Sequence, residues 1–391
     1  MNDNIFKISI STLPFLEPVL AEELNQLGAA DIEIGKRIVH CVASKKLLYR
    51  ANLHLRTALR VFVPIHTFNI RHSDELYKRA VSIDWTEFLS LDKTFAIDPN
   101  VHSVMFKHTN FASLRLKDGI ADFFQKNYGK RPSVDADNPD VLFNLHIDEH
   151  RVTLSLDSSG ESMNRRGYRV AGAQAPINEV LAAGMLLLSG WKGESNLYDP
   201  MCGSGTLAIE AAMIATNTPA LHKRLRPGFA NWKSFDEELW TQVQQEAEQN
   251  IKPLACKIFA SDVDRRQLDV AKKNIELAGF SKHIQVSMMD FFETHPQDES
   301  GTLVFNPPYG ERLETADINH IYKRIGSHLK HDWPGHRAWI ISSNAEALKH
   351  IGLKPSKKFS LMNGTLDCKY QLFDLFAGKR AEHKSNIAEA R

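Results

Sequence analysis

The chain has 391 residues, with 48 Lys and Arg against 47 Asp and Glu, 43% hydrophobic residues and four cysteines. At roughly 100–200 residues per domain this length suits two or three domains, and a charged fraction of 24% with 9% aromatics excludes a wholly disordered chain. No apolar run reaches the ~18–20 residues of a membrane span, Met1-Asn2-Asp3-Asn4 has no cationic leader character, and Cys41, Cys202, Cys256 and Cys368 form no C-x-x-C pair, so a reduced, cytoplasmic, multidomain protein is expected.

Phe6–Ile10 reads as a strand and Pro14–Leu27 as an amphipathic helix stopped by Gly28. Asp31–Ala43 has the pattern of a hairpin turning near Gly35, followed by a helix over Ser44–Leu55. Arg60–Ile65 is a further strand, and Ser73-Asp74-Glu75 starts a helix that runs to Ser82. Thr94–Asp98 reads as a strand, Phe111–Tyr128 as a helix ending at Gly129, and Val141–Ile147 with Arg151–Leu156 as a hairpin. This first third is α+β. From about residue 165 helix and strand patterns alternate regularly, which argues for a doubly wound α/β domain. Lys379–Arg391 is a polar tail.

The chemistry is written in the second part. A short strand, Asn196–Tyr198, leads into Asp199-Pro200-Met201-Cys202-Gly203-Ser204-Gly205-Thr206, and a helix follows over Leu207–Ala215. Glycines allow positive φ and close approach of backbone to a ligand, and a helix start offers free N–H groups. The lysine of a phosphate loop and the third glycine of a dinucleotide turn are both missing. The next strand, Lys257–Ala260, ends in Ser261-Asp262-Val263-Asp264; Asp262, or else Asp264, can accept from a ribose diol. Asp264 reads equally as a cap for the helix Arg265–Leu277. After the strand Ile284–Ser287, Asp290 can accept from an adenine amino group with apolar Phe291 beside the ring, or be an exposed loop residue.

The strand Thr302–Phe305 runs into Asn306-Pro307-Pro308-Tyr309. Consecutive prolines fix φ and remove N–H donors, so the turn is rigid and presents carbonyls. The Asn306 side chain and the Pro307 carbonyl supply two acceptors for an exocyclic NH₂, and Tyr309 a stacking face worth ~1–3 kcal/mol. A strand-ending proline turn is the bland alternative.

Together these residues resemble S-adenosylmethionine-dependent amino-methyltransferases of the Rossmann-like class. Arg165-Arg166-Gly167-Tyr168-Arg169, Ala175-Pro176-Ile177-Asn178-Glu179 and Arg226-Pro227-Gly228-Phe229, with Trp232, narrow the resemblance to THUMP-containing bacterial 23S rRNA guanine-N2 methyltransferases, a family also labelled N6-adenine-specific DNA methylases. The resemblance is specific over 160–376 and loose over 1–157. It implies a ferredoxin-like unit over 1–55, a THUMP RNA-binding domain over 56–160, a Rossmann-like methyltransferase domain over 161–380 and a tail, 381–391. It implies S-adenosylmethionine as cofactor, held by Asp199, Cys202, Gly203, Gly205 and Thr206 at its methionine end under Pro176 and Ile177. Asp262, with Asp264 in reserve, would bind the ribose, and Asp290 with Phe291 the adenine. Asn306, Pro307, Pro308 and Tyr309 would hold the base. Some relatives carry a second methyltransferase half, so only the amino-methylating activity is expected here. Adenine-N6 methylation of DNA or RNA, and a non-catalytic RNA-binding assembly role, are the alternative readings.

Residues 1–170 hold 22 Lys and Arg against 21 Asp and Glu, so RNA binding must come from local clusters. Candidates are Lys36-Arg37, Lys45-Lys46 with Arg50, Lys107 with His108, Lys130-Arg131 and, above all, Arg165, Arg166 and Arg169. The 17 histidines show no metal-ligand spacing, and no metal is expected. Residues 217–253 read as an insertion whose helix, Asp236–Asn250, packs on the edge of the methyltransferase domain.

Overall fold

The computed structural model of the chain describes residues 5–170, 177–224, 226–308 and 315–377. The expected tail, 381–391, lies outside the described residues, as do Pro176 and Tyr309. Two compact units emerge, each discontinuous in sequence. The first holds residues 1–12, 20–163 and 224–246, the second 13–19, 164–223 and 247–391.

From the start, the chain forms β1 (Phe6–Thr12), α1 (Glu17–Gln26), β2 (Ala30–Gly35), β3 (Ile38–Ala43), α2 (Lys45–His54) and β4 (Ala58–Asn69). It continues through α3 (Ser73–Ser82), β5 (Phe95–His102), α4 (Thr109–Tyr128), β6 (Val141–Asp148) and β7 (Arg151–Asp157). All seven strands belong to one sheet, ordered β2-β3-β1-β4-β7-β6-β5. β4 joins its two parts, pairing with β1 at Ser9↔Phe62 and with β7 at Phe62↔Asp157. The sequence pattern ends this strand at Ile65, but it runs on to Asn69. Pro64 has no N–H for the ladder, the register shifts between Pro64 and His66, and pairing resumes at His66↔Leu154. Over the β5-β6-β7 end lies a core of Leu76, Ala80, Trp85, Phe95, Leu116, Ile120, Phe124 and Phe143.

Residues 224–246 complete this first unit, contrary to the expectation that the inserted helix packs on the methyltransferase domain. The cause is aromatic. Tyr49 of α2 stacks on Phe229 with centroids 4.3 Å apart and meets Trp240 edge-on at 5.8 Å. Its hydroxyl accepts from the Asp236 N–H at 2.9 Å, and Lys46 pairs with Glu246 at 2.7 Å. Aromatic pairs of this kind contribute about 0.5–1.5 kcal/mol each beyond area burial.

The later elements are α5 (Glu179–Ser189), β8 (Leu197–Asp199), α6 (Thr206–Ala215), α7 (Glu237–Gln249), β9 (Ile258–Asp262), α8 (Arg265–Ala278), β10 (Ile284–Met288) and β11 (Thr302–Phe305). α9 (Thr315–Asp332), β12 (Arg337–Ser342), α10 (Ala345–His350), β13 (Lys357–Asn363) and β14 (Leu366–Asp374) follow. The sheet order is β10-β9-β8-β11-β12-β14-β13, with β14 antiparallel to both β12 and β13. β11 is buried along its whole length, and β12 from Ala338 onward, as strands covered on both faces must be. Leu16 belongs to this unit and packs on Gly184 of α5. The strand order runs outward in both directions from β8, so the crevice at the carboxyl ends of β8 and β11 is the topological switch point where ligands bind in such sheets.

α9 reaches this crevice because it packs tightly on the Ile351 region. A Cβ at Gly326 would stand 1.8 Å from the Ile351 carbonyl oxygen. Gly326→Ala should therefore destabilise the protein by about 1–3 kcal/mol, despite a helix-propensity gain of ~1 kcal/mol. Thermal unfolding checks this, and an unchanged or raised Tm contradicts the packing.

Candidate active site

The glycine turn forms because β8 must stop and α6 must start within a few residues. Gly203 and Gly205 take φ of +51° and +80°, which a side chain would resist. Gly205 N–H donates to the Cys202 carbonyl at 2.8 Å, and Cys202 N–H to the Ser261 carbonyl at 2.9 Å. The Asp262 carboxylate accepts from Gly203 N–H at 2.9 Å and from Asp264 N–H at 3.0 Å. Asn274 of α8, buried, donates to the Ser204 carbonyl at 3.0 Å and accepts from Val170 N–H at 2.9 Å. Nothing in its sequence setting marks Asn274, which lies inside an ordinary helical pattern.

A cavity of about 560 Å³ opens beside this turn. Of the expected residues, Ile177, Cys202, Gly203, Asp262, Asp290, Phe291, Asn306 and Pro308 line it. Asp290 accepts from the Phe292 N–H at 3.1 Å, which fixes its carboxylate at the end of β10. Phe291 is buried against Phe305, and only part of it reaches the cavity. The Asn306 Oδ1 is buried and meets no hydrogen-bond partner among the described residues. Burial, then the charges of Asp199 and Asp262, push the Cys202 thiol well above its usual range, so it serves as an apolar wall rather than a nucleophile.

Other expected residues stand elsewhere. Asp264 caps α8, accepting from the Arg266 N–H at 2.8 Å, and is not among the residues lining the cavity. Gly205 and Thr206 form the turn and helix start beneath it, and Pro307 is buried behind Asn306. Asp199 is fully buried and borders a neighbouring cavity of about 360 Å³ with Tyr198, Ser261, Met289 and Trp333. Neither of its oxygens has a well-formed hydrogen bond among the described residues. Sequence reasoning missed Gln267, Ile321 and Arg324, which also line the first cavity. The Arg324 guanidinium lies 3.8 Å from the Phe292 ring centroid, a pairing between residues 32 positions apart in sequence that no local motif announces.

The basic run before the domain is used internally. Arg166 is buried and pairs with Glu210 of α6 at 3.2 Å, with the Tyr168 hydroxyl donating to the same carboxylate at 3.2 Å. Arg169 pairs with Glu179 at 2.7 Å and donates to the Ile177 carbonyl at 3.1 Å, so it braces the cavity wall. Arg166 is thus buried against a carboxylate, contrary to the expectation that it contacts RNA, while Arg169, partly exposed, is engaged by Glu179. Arg165 alone of the three is exposed.

A doubly wound sheet of this order, with a glycine turn at its switch point, defines a Rossmann-like methyltransferase-class domain. The chain belongs to the RMKL-like methyltransferase domain family, which it matches over residues 166–371, and it also matches the THUMP domain over 71–157 and the RlmL ferredoxin-like domain over 7–62. It is 38% identical over 374 residues to a ribosomal RNA large subunit methyltransferase K/L of Syntrophotalea carbinolica, covering 92% of this chain and 52% of that one. The chain thus spans about half the length of that relative. A Synechocystis protein provisionally named as an RNA methyltransferase is 36% identical, covering 92% of this chain and 94% of its own. A crystal structure of a provisionally named methyltransferase complexed with SAH superposes with a TM-score of 0.87 at 27% identity, covering 97% of this chain and all of that one.

Burial and the nearby Asp262 charge hold the Asp199 carboxyl well above the usual range, with the Met201 N–H opposing them only in part. The folded protein therefore keeps this proton to higher pH than the unfolded chain, and ionisation costs stability above about pH 4, the unfolded pKa. Asp199→Asn removes that cost. Its Tm should exceed the parent's at pH 7 and match it at about pH 3; a lower Tm at pH 7 would count against an uncompensated charge.

Proposed function

We propose that the protein transfers the methyl group of S-adenosylmethionine to the exocyclic amine of a base in RNA, guanine N2 in 23S rRNA. The observation that carries this reading is the sharing of one cavity by two carboxylates, Asp262 and Asp290, and an unpartnered amide oxygen, Asn306. The residues fit the cofactor. Asp199 is a buried carboxylate without adequate partners, which suits the ammonium of a methionine end. Asp262 and Asp290 line the same cavity and would accept from the ribose diol and from an adenine amino group, with Val263, Phe291 and Leu207 as apolar walls. The solved relative bound to SAH supports the same ligand class.

When bound, S-adenosylmethionine supplies an electrophilic methyl on a sulfonium. The chain's own residues orient the amine towards it. Asn306 Oδ1 accepts one amine hydrogen and the Pro307 carbonyl the other, biasing the nitrogen lone pair forward. The amine turns acidic only as it is alkylated, so no strong base is required, and positioning does most of the work. Tyr309, outside the described residues, is proposed to stack on the base. A base leaves its helical stack to reach such a pocket, so a single-stranded or flipped nucleotide is the substrate. The names of the K/L relatives and the THUMP match support RNA over DNA.

Asn306→Ala should abolish methyl transfer while calorimetric binding of S-adenosylmethionine survives. With labelled cofactor and protein-free large-subunit rRNA, digestion to nucleosides should yield labelled methylguanosine from the parent. Labelled methyladenosine would overturn the guanine assignment, and undiminished turnover by the variant would overturn the role of Asn306.

A further inference from the structure

We infer that the open side of α3 is a phosphodiester-binding groove by which the first unit grips its RNA, an inference that rests on the RNA-methyltransferase reading above. Asn69 at the end of β4 and Arg71, Glu75, Lys78, Arg79 and Ser82 line a cavity of about 590 Å³. Glu75, Lys78, Arg79 and Ser82 recur at three- and four-residue steps, which places them along one side of the helix. Arg71, Lys78 and Arg79 are exposed, and among the described residues none of them forms an ion pair. The one carboxylate in the groove is tied down, because Glu75 accepts the Arg71 backbone N–H at 2.9 Å.

The two sides of α3 are charged differently. Towards α4, Asp74 pairs with Arg115 and the Tyr77 hydroxyl donates to Asp122 at 2.7 Å, so polar groups there are matched. On the open side three cations face a single carboxylate, Glu75, with which none of them forms an ion pair among the described residues. The Arg79 guanidinium lies 6.0 Å over the Phe68 ring, a contact that steadies the group without consuming its N–H donors. Keeping like charges together in one concavity costs self-repulsion, which a polyanion reverses.

Other basic clusters are largely spent. Lys45 donates to the Ser234 carbonyl at 3.0 Å, Lys46 pairs with Glu246 and Arg131 with Asp122, and Arg50 donates to the Leu27 carbonyl at 3.2 Å. Cations beside the amide of Asn69 match a sugar-phosphate backbone, which takes both charge and hydrogen bonds, while the Ser82 hydroxyl is turned back to the Arg79 carbonyl at 2.8 Å. A lipid surface would call for an apolar edge, and no large apolar side chain lines the groove.

The test uses the full chain carrying Arg71→Ala, Lys78→Ala and Arg79→Ala together, with a short fluorescein-labelled single-stranded RNA of mixed sequence as probe. Anisotropy across a salt series should show affinity lowered roughly tenfold or more, and the slope of log K against log salt reduced by about 2, as expected when three phosphate contacts are lost. Thermal unfolding and calorimetric binding of S-adenosylmethionine should both match the parent, the first showing that the substituted unit is folded. The charge-preserving pair Arg71→Lys and Arg79→Lys should keep the parent's salt slope. If the parent binds RNA and the triple variant equals it in affinity and slope, the groove is wrong and the methyl-transfer reading stands. If the parent binds no RNA, both fall. Loss of binding to phosphatidylglycerol vesicles with RNA affinity unchanged also overturns the inference.

Discussion

The hydrogen bond from Gly203 N–H to the Asp262 carboxylate links the ends of two neighbouring parallel strands, and the cavity takes its form from it. Without a partner at that point, a turn with two left-handed glycines would be free to wander, and glycine loses more conformational freedom on ordering than any other residue. Burial first, and then the nearby Asp262 charge, raise the proton affinity of both Asp199 and Cys202 well above the usual range. The site is therefore assembled against its own electrostatics. Such strain is typical where a ligand, not the protein, is meant to complete the polar contacts.

What was legible in the sequence follows from how local each device is. The glycine turn, the acidic strand ends and the Asn306-Pro307-Pro308 segment are each set within a few residues, and the structure gathers most of them around one cavity. Asp264 shows the limit: as a capping residue and as a ribose ligand it looks the same in sequence, and the Arg266 N–H decides for the cap. Arg166 and Arg169 show another. A run of arginines carries no sign of whether its partners are phosphates or carboxylates, and here Glu210 and Glu179 supply the answer. Arg71, Lys78 and Arg79 fail the opposite way, since a helix turn separates charges that the fold brings together.

Fold reading succeeded where periodicity spoke and faltered where a single residue broke it. The apolar, β-branched run of β4 stops at Ile65, yet the strand continues to Asn69 past the register shift between Pro64 and His66. The insertion was visible as excess length, but the destination of Phe229 and Trp240 depended on Tyr49, far away in sequence.

That exchange of segments bears on how the chain is made. Synthesis runs from the amino end, and the first unit cannot close the cluster around Tyr49 until residue 246 has emerged. Residues 13–19, made almost at once, wait for Gly184 before Leu16 finds its seat. The first unit thus cannot finish until the second unit's segment 164–223 has been made, and the second holds its earliest segment until residues far along the chain have emerged. A nascent chain stalled near residue 163 would expose Tyr49 without the cover of Phe229 and Trp240, a state in which chaperones, not the fold, would have to shield apolar surface.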